Sequence, residues 1–136
     1  GDTVRIGAIR IGADATIDVS QADVDAGAYA VVLECSGVPV SISTALRAVR
    51  PGGTVVQVGM LPDDPRSVNL APFISKEVRY FGAFRFLDEI DRAVELLAST
   101  PGIESALTHE FAVTDAEEAF ATARDSQRSG KVVFAL

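Results

Sequence analysis

The sequence predicts an α/β fold built on a parallel sheet. Two runs, Ala30-Val31-Val32-Leu33-Glu34-Cys35 and Thr54-Val55-Val56-Gln57-Val58-Gly59, are continuous β-rich segments without alternation. That is the pattern of parallel strands covered on both faces. Between them Val40, Ile42, Ala45, Leu46 and Val49 recur at helical spacing. Strand, helix and strand make one βαβ unit, expected to be right-handed. Strand-like and helix-like segments then alternate to the end of the chain.

Each element follows from local chemistry. Val4 to Ile11 reads either as a short helix closed by Gly12 or as an alternating strand, and Gly7 weakens the helix. Ala15 to Val19 reads as a short strand and Asp23 to Gly27 as a polar connection. Ser36-Gly37 ends the first buried strand. Pro39 suits the first helical turn, where its missing N–H costs nothing. Pro51-Gly52-Gly53 stops that helix before the second strand. Leu61 to Pro72 is a proline-containing loop with a helical turn at Ala71 to Ser75, and Glu77 to Phe84 is a third strand. Asp88 can cap a helix with Ile90, Val94 and Leu97 on its apolar stripe, broken at Pro101-Gly102. Leu107 to Phe111 is a strand. Thr114-x-x-Glu117 reads as a capping box, opening a helix expected to bury Ala116, Ala119, Phe120 and Ala123. Gly130 ends it, and Lys131 to Leu136 is the last strand.

Composition narrows the function. The 136 residues carry 48% hydrophobic residues, a globular rather than a disordered balance. A formal net charge of −7 argues against nucleic acid and anionic membrane as partners. No apolar run approaches the roughly 20 residues of a membrane span, and Gly1 to Arg5 has no signal-peptide core. The single cysteine, Cys35, excludes an internal disulfide and fits a reducing cytoplasm. One cysteine and one histidine, His109, cannot supply an ordinary His/Cys zinc site.

In open α/β sheets, ligands lie beyond the carboxyl ends of the strands. Ser36, Gly37, Val58, Gly59 and Met60 are therefore expected to line one crevice, with glycine allowing a flat ligand close to the backbone. The competing reading is that these glycines only form turns.

Three blocks carry a resemblance. They are Val31 to Gly37 with Ala45-Leu46-Arg47 and Arg50 to Met60; Lys76 to Phe86; and Thr108 to Phe111 continuing through Ala119-Phe120 to Gly130-Lys131-Val132-Val133. In this order they resemble the cofactor domain of medium-chain, zinc-type alcohol and polyol dehydrogenases, sorbitol and L-idonate dehydrogenases in particular. The resemblance implies a partial Rossmann-like, doubly wound sheet with a C-terminal helix and strands. It implies that residues 1–86 are the C-terminal part of a dinucleotide-binding domain, and that residues 87–136 return to a catalytic domain. The implied reaction is hydride transfer between NAD or NADP and a secondary alcohol of a polyol or sugar acid, with zinc in the full-length parent. The backbone around Val58, Gly59, Met60 and Phe84 would hold the nicotinamide carboxamide, Arg85 would lie near the nicotinamide and its phosphates, and Ser36 and Gly37 near the adenosine half. The chain lacks the glycine-rich phosphate loop, the ribose-binding acidic residue and the zinc ligands, which precede this segment in the family. It is thus expected to be a fragment of a longer enzyme, inactive alone, or a truncated chain that repacks.

Several residues also have plainer readings. Arg85 can pack its stem on Phe84 and Phe86. Lys131 can approach a pyrophosphate or serve as a helix-end cation. His109 reads as structural, and Cys35 as inert packing in a buried strand. Glu34 can make strand-end hydrogen bonds, and Lys76-Glu77 reads as a solvated pair worth little. The alternatives are a non-catalytic α/β module that binds a nucleotide or another chain, and a methyltransferase, whose sheet has a similar Pro-Gly-Gly turn. The resemblance implies that the strand at Ala30 to Cys35 lacks its neighbour, because in the family two strands absent here separate it from Ala15 to Val19, so a homo-oligomer closed through that edge, or pairing by Val4 to Ile11, would repair it.

Overall fold

The structure is a computed structural model that describes residues 12–125 and 128–135. The chain divides into two compact units, one of residues 17–86 and one of residues 1–16 with 87–136. The Val4 to Ile11 segment lies outside the described residues.

The 17–86 unit holds a three-stranded parallel sheet in the order β1 (Tyr29–Glu34), β2 (Val49–Gln57), β3 (Arg79–Gly82). Helix α1 (Pro39–Ala48) joins the first two strands, with its proline in the first turn as its fixed φ favours. Ile42, Ala45 and Leu46 from α1 pack on Val49, Val55 and Val78 to form the core, and Leu46, Val49 and Val55 are fully buried. Val40, assigned to the same stripe, is exposed. Val49 is not helical: it opens β2 opposite Tyr29, and the ladder resumes at Val31 and Thr54 after an irregularity. Pro51-Gly52-Gly53 is thus an excursion inside β2 rather than a turn before it. The Gly52 N–H donates to the Lys76 carbonyl at 2.7 Å, and Arg79 donates to the Gly52 carbonyl at 3.1 Å.

Three further expectations fail. Ala15 to Val19 forms no strand. The β1 run is covered on one face only, because α1 packs on the side of Val32 and Glu34 and leaves Val31 and Leu33 59% and 62% exposed. Lys76 is not merely solvated. Its Nζ donates to the carbonyls of Arg47 at 2.5 Å, Val49 at 2.9 Å and Leu46 at 3.3 Å, capping the end of α1 where the helix dipole favours a cation. A short helix, α2 (Ala71–Ser75), leads to it.

The other unit contains α3 (Ile90–Ser99), a two-stranded parallel sheet of β4 (Leu107–Ala112) and β5 (Lys131–Ala135), and α4 (Ala116–Arg124). The α3 stripe of Ile90, Val94 and Leu97 is 48–59% exposed. Asp88 does not cap this helix; Glu89 precedes it, with a carboxylate accepting from the N–H of Leu87 and Asp88. The capping box does not form. A 3-10 turn at Val113–Asp115 turns the Thr114 hydroxyl toward Asp115 instead. Of the four residues assigned to the buried face of α4, only Ala119 is buried; Thr122 joins it, and Phe120 is exposed, edge-on to Phe134. Leu136 lies outside the described residues. Among the described residues no helix is long and apolar enough to cross a membrane.

Candidate functional site

Parallel pairing brings the carboxyl ends of three strands together. Glu34 lies opposite Gln57, and Gln57 opposite Gly82. The chain leaves each strand there, in segments containing Ser36-Gly37, Val58-Gly59-Met60 and Phe84-Arg85. The structure therefore brings all seven sequence-assigned residues to one end of the sheet.

The first two segments touch backbone to backbone. A Cβ on Gly37, whose φ is +68°, would lie 2.1 Å from the Met60 carbonyl oxygen. A Cβ on Gly59 would lie 2.1 Å from the Gly37 nitrogen. Glycine is required here for loop-to-loop contact. The backbone carbonyl of Glu34 accepts from the N–H of both Val58 and Gly59 at 2.8 Å.

Glu34 is the hub. Its side chain is 4% exposed. One carboxylate oxygen accepts from the Ser36 N–H at 2.9 Å and from the Ser36 hydroxyl; the other accepts from the Gly37 N–H at 2.9 Å and the Gln57 amide at 2.5 Å. Burial pushes its pKa up, but the hydrogen bonds from the Ser36 hydroxyl, the two N–H groups and the Gln57 amide outweigh it and hold the carboxyl below its ordinary 4.5. Gln57 also donates to the Gly59 carbonyl at 2.6 Å and accepts from the Tyr80 hydroxyl at 2.6 Å. Burial and the Glu34 charge raise the Tyr80 pKa. Ser36 thus turns its hydroxyl onto Glu34, where it also accepts from the Val38 N–H at 3.2 Å.

Val58, Met60, Ala83, Phe84 and Arg85 line an open cleft beside these loops. Met60 and Phe84 are 71% and 67% exposed. The Arg85 guanidinium lies 4.8 Å from the centre of the Phe84 ring, a cation–π contact. Arg85 has φ +58°, in the left-handed region that non-glycine residues enter at a cost. Such strain concentrates at ligand-facing positions. An exposed apolar wall beside a guanidinium suits a flat ring carried on a phosphate chain.

Sequence patterning marks Glu34 as a strand-end hydrogen-bonding residue and gives Gln57 and Tyr80 no role of their own. An acidic residue closing an apolar strand was the available signal; its partners depend on strand register. Cys35 is exposed just past β1, so it is not the packed core thiol expected. His109 is half-buried, with Nδ1 2.9 Å from the Thr108 hydroxyl and its ring stacked on Phe111. Lys131 opens β5 and is exposed. Among the described residues no group of three or more His, Cys, Asp or Glu could hold a metal ion, so these residues do not fit a zinc centre.

Residues 7–99 match the zinc-binding dehydrogenase family. The chain belongs to that family. This membership overturns the expectations of a methyltransferase and of a non-catalytic α/β nucleotide-binding or interaction module, since the matched span includes both crevice loops and Phe84-Arg85-Phe86. Among zinc-binding dehydrogenase relatives, L-idonate 5-dehydrogenase (NAD(P)(+)) of Escherichia coli K12 is 35% identical over 133 residues, 90% of this chain and 37% of that protein. Sorbitol dehydrogenase of Rattus norvegicus is 39% identical over 98 residues, 69% of this chain and 26% of that protein. The chain thus spans between about a quarter and two fifths of these relatives' lengths. A Sinorhizobium meliloti 1021 structure, described as a zinc-binding dehydrogenase bound to NADP, superposes with a TM-score of 0.84 at 28% identity over 99% of this chain and 43% of its own.

Proposed function

We propose that this segment receives a nicotinamide dinucleotide in an oxidoreductase that moves hydride between NAD or NADP and a secondary alcohol of a polyol or sugar acid. The observation that carries the reading is the crevice at the carboxyl end of a parallel sheet, in a chain of this family. Val58, Gly59, Met60 and Phe84 face the nicotinamide half, Arg85 the phosphates, and Ser36 and Gly37 the adenosine half. Residues 1–86 are the C-terminal part of the dinucleotide domain, and residues 87–136 return to the catalytic domain. The cofactor supplies the hydride chemistry; this segment binds and orients it. No zinc ligand is assigned among the described residues.

Titration of NADH and NADPH into the full-length protein carrying this segment, followed by nicotinamide fluorescence, is the test. Binding of at least one is expected, and binding of neither overturns the reading. Arg85→Ala is expected to weaken binding about tenfold or more, as loss of a charge-assisted contact does, with stability changed by less than about 0.5 kcal/mol. An unchanged dissociation constant would leave Arg85 packing on Phe84 alone.

Assembly follows from the sheet edge. The outer edge of β1 pairs with no strand among the described residues, and Val31 and Leu33 are exposed on the face that α1 leaves uncovered. Such an edge recruits a strand. The 136-residue chain alone is expected to form a homodimer or higher oligomer; sedimentation equilibrium showing a folded monomer would refute this.

A further inference from the structure

The pairing register sets Val32, Val55 and Tyr80 side by side, and two residues further on, Glu34, Gln57 and Gly82. Residues two apart share a face of a strand. Glu34, Gln57 and Tyr80 therefore share the face that α1 covers. Gly82 puts no side chain beside Gln57, and the position its Cβ would take has nothing within 4 Å. Tyr80 reaches diagonally across this gap to the Gln57 amide.

The Gln57 amide is oriented from both ends. Its Nε2 serves two acceptors, the Glu34 carboxylate and the Gly59 carbonyl, while its Oε1 accepts from Tyr80. Turned over, the amide would set its oxygen against the carboxylate and the carbonyl with no proton between them. The Val58–Gly59 segment is thereby gripped on both sides: β1 holds its N–H groups through the Glu34 carbonyl, and Gln57 holds its carbonyl.

We propose that Tyr80, Gln57 and Glu34 form a positioning relay that locks the Val58–Met60 loop against the Ser36–Gly37 loop, so that β3 sets the shape of the dinucleotide-facing edge. The relay rests on the cofactor reading for what that edge faces. Tyr80 and Gln57 are positioning residues: they act on the crevice through the Gly59 carbonyl and the Glu34 carboxylate.

The test is a double-mutant cycle in the full-length protein carrying this segment, reading the dissociation constant for whichever of NADH and NADPH binds, with a urea midpoint for each variant. Gln57→Leu, which removes three hydrogen bonds, is expected to raise the dissociation constant about tenfold or more, and Tyr80→Phe, which removes one, about threefold. Because Tyr80 works only through the amide, the double variant is expected to match Gln57→Leu alone. Additive effects, or lower urea midpoints with unchanged binding, would overturn the relay. Amide exchange is read in parallel. Tyr80→Phe keeps the ring edge-on to Phe73 and is expected to speed exchange at Gly37 and Gly59 but not at Val55. If Gln57→Leu does not fold, this comparison decides, and unchanged exchange at Gly59 refutes the proposal. If the wild type binds neither dinucleotide, the cofactor reading fails and the same exchange comparison judges the relay.

Discussion

Gly37→Ala is expected to remove about 2–4 kcal/mol of folding stability, from backbone strain and overpacking together, and to abolish dinucleotide binding. At φ +68° an L-residue is strained whatever the space around it. Here there is no space: the new methyl would lie 2.1 Å from the Met60 carbonyl oxygen and 2.7 Å from its carbon. Both obstacles are backbone, so relief requires the Ser36–Gly37 and Val58–Met60 loops to separate. Separation strains the N–H bonds of Val58 and Gly59 to the Glu34 carbonyl. Urea denaturation and NADH and NADPH titration of the variant check both parts. A loss below about 1 kcal/mol would mean that the loops move apart freely.

Glu34→Gln is expected to cost about 2–3 kcal/mol at neutral pH, because hydrogen bonds to a charged acceptor are the stronger kind and the shape is otherwise kept. The carboxylate accepts four hydrogen bonds. An amide replaces one oxygen by a donor, which then faces donors. The pH dependence follows from the lowered pKa of Glu34. A group whose pKa is lower folded than unfolded contributes its full stability above the unfolded value and loses it as pH falls through the folded value. The wild type is therefore expected to lose stability, as pH falls below the ordinary carboxyl value and through the lower folded value, that Glu34→Gln does not lose, and the gap between them should close. Urea midpoints for both proteins across that interval are the measurement; a constant gap would assign the effect to shape rather than charge.

Much of the first unit was legible in the chain. The Tyr29–Glu34 strand, the Pro39–Ala48 helix and the Thr54–Gln57 half of the second strand follow from local hydrophobic patterning and from proline at a helix start, whereas the Val49–Gly53 half, expected as helix end and turn, does not. The strand ends gathered Ser36, Gly37, Val58, Gly59 and Met60 at one end of the sheet, because parallel strands share a direction, and the family resemblance added Phe84 and Arg85 there. Ends of helices were less legible. The Thr114-x-x-Glu117 pattern fits a capping box, yet a 3-10 turn occupies that position and uses the hydroxyl differently.

The sequence by itself determined the α/β class, the βαβ unit, the end of the sheet where a ligand would lie, and, through three ordered blocks, the family. Each of these depends on neighbours in the chain or on composition. Tertiary structure alone decided what Lys76, Glu34, Gln57 and Tyr80 do. Lys76 caps α1 from about 30 residues away, and Gln57 meets Glu34 and Tyr80 each across 23 residues. It also decided that Gly37 and Gly59 serve each other. Such partners are fixed by strand register and by which face a helix covers, and a one-residue slip of register would turn Glu34, Gln57 or Tyr80 to the opposite face of the sheet.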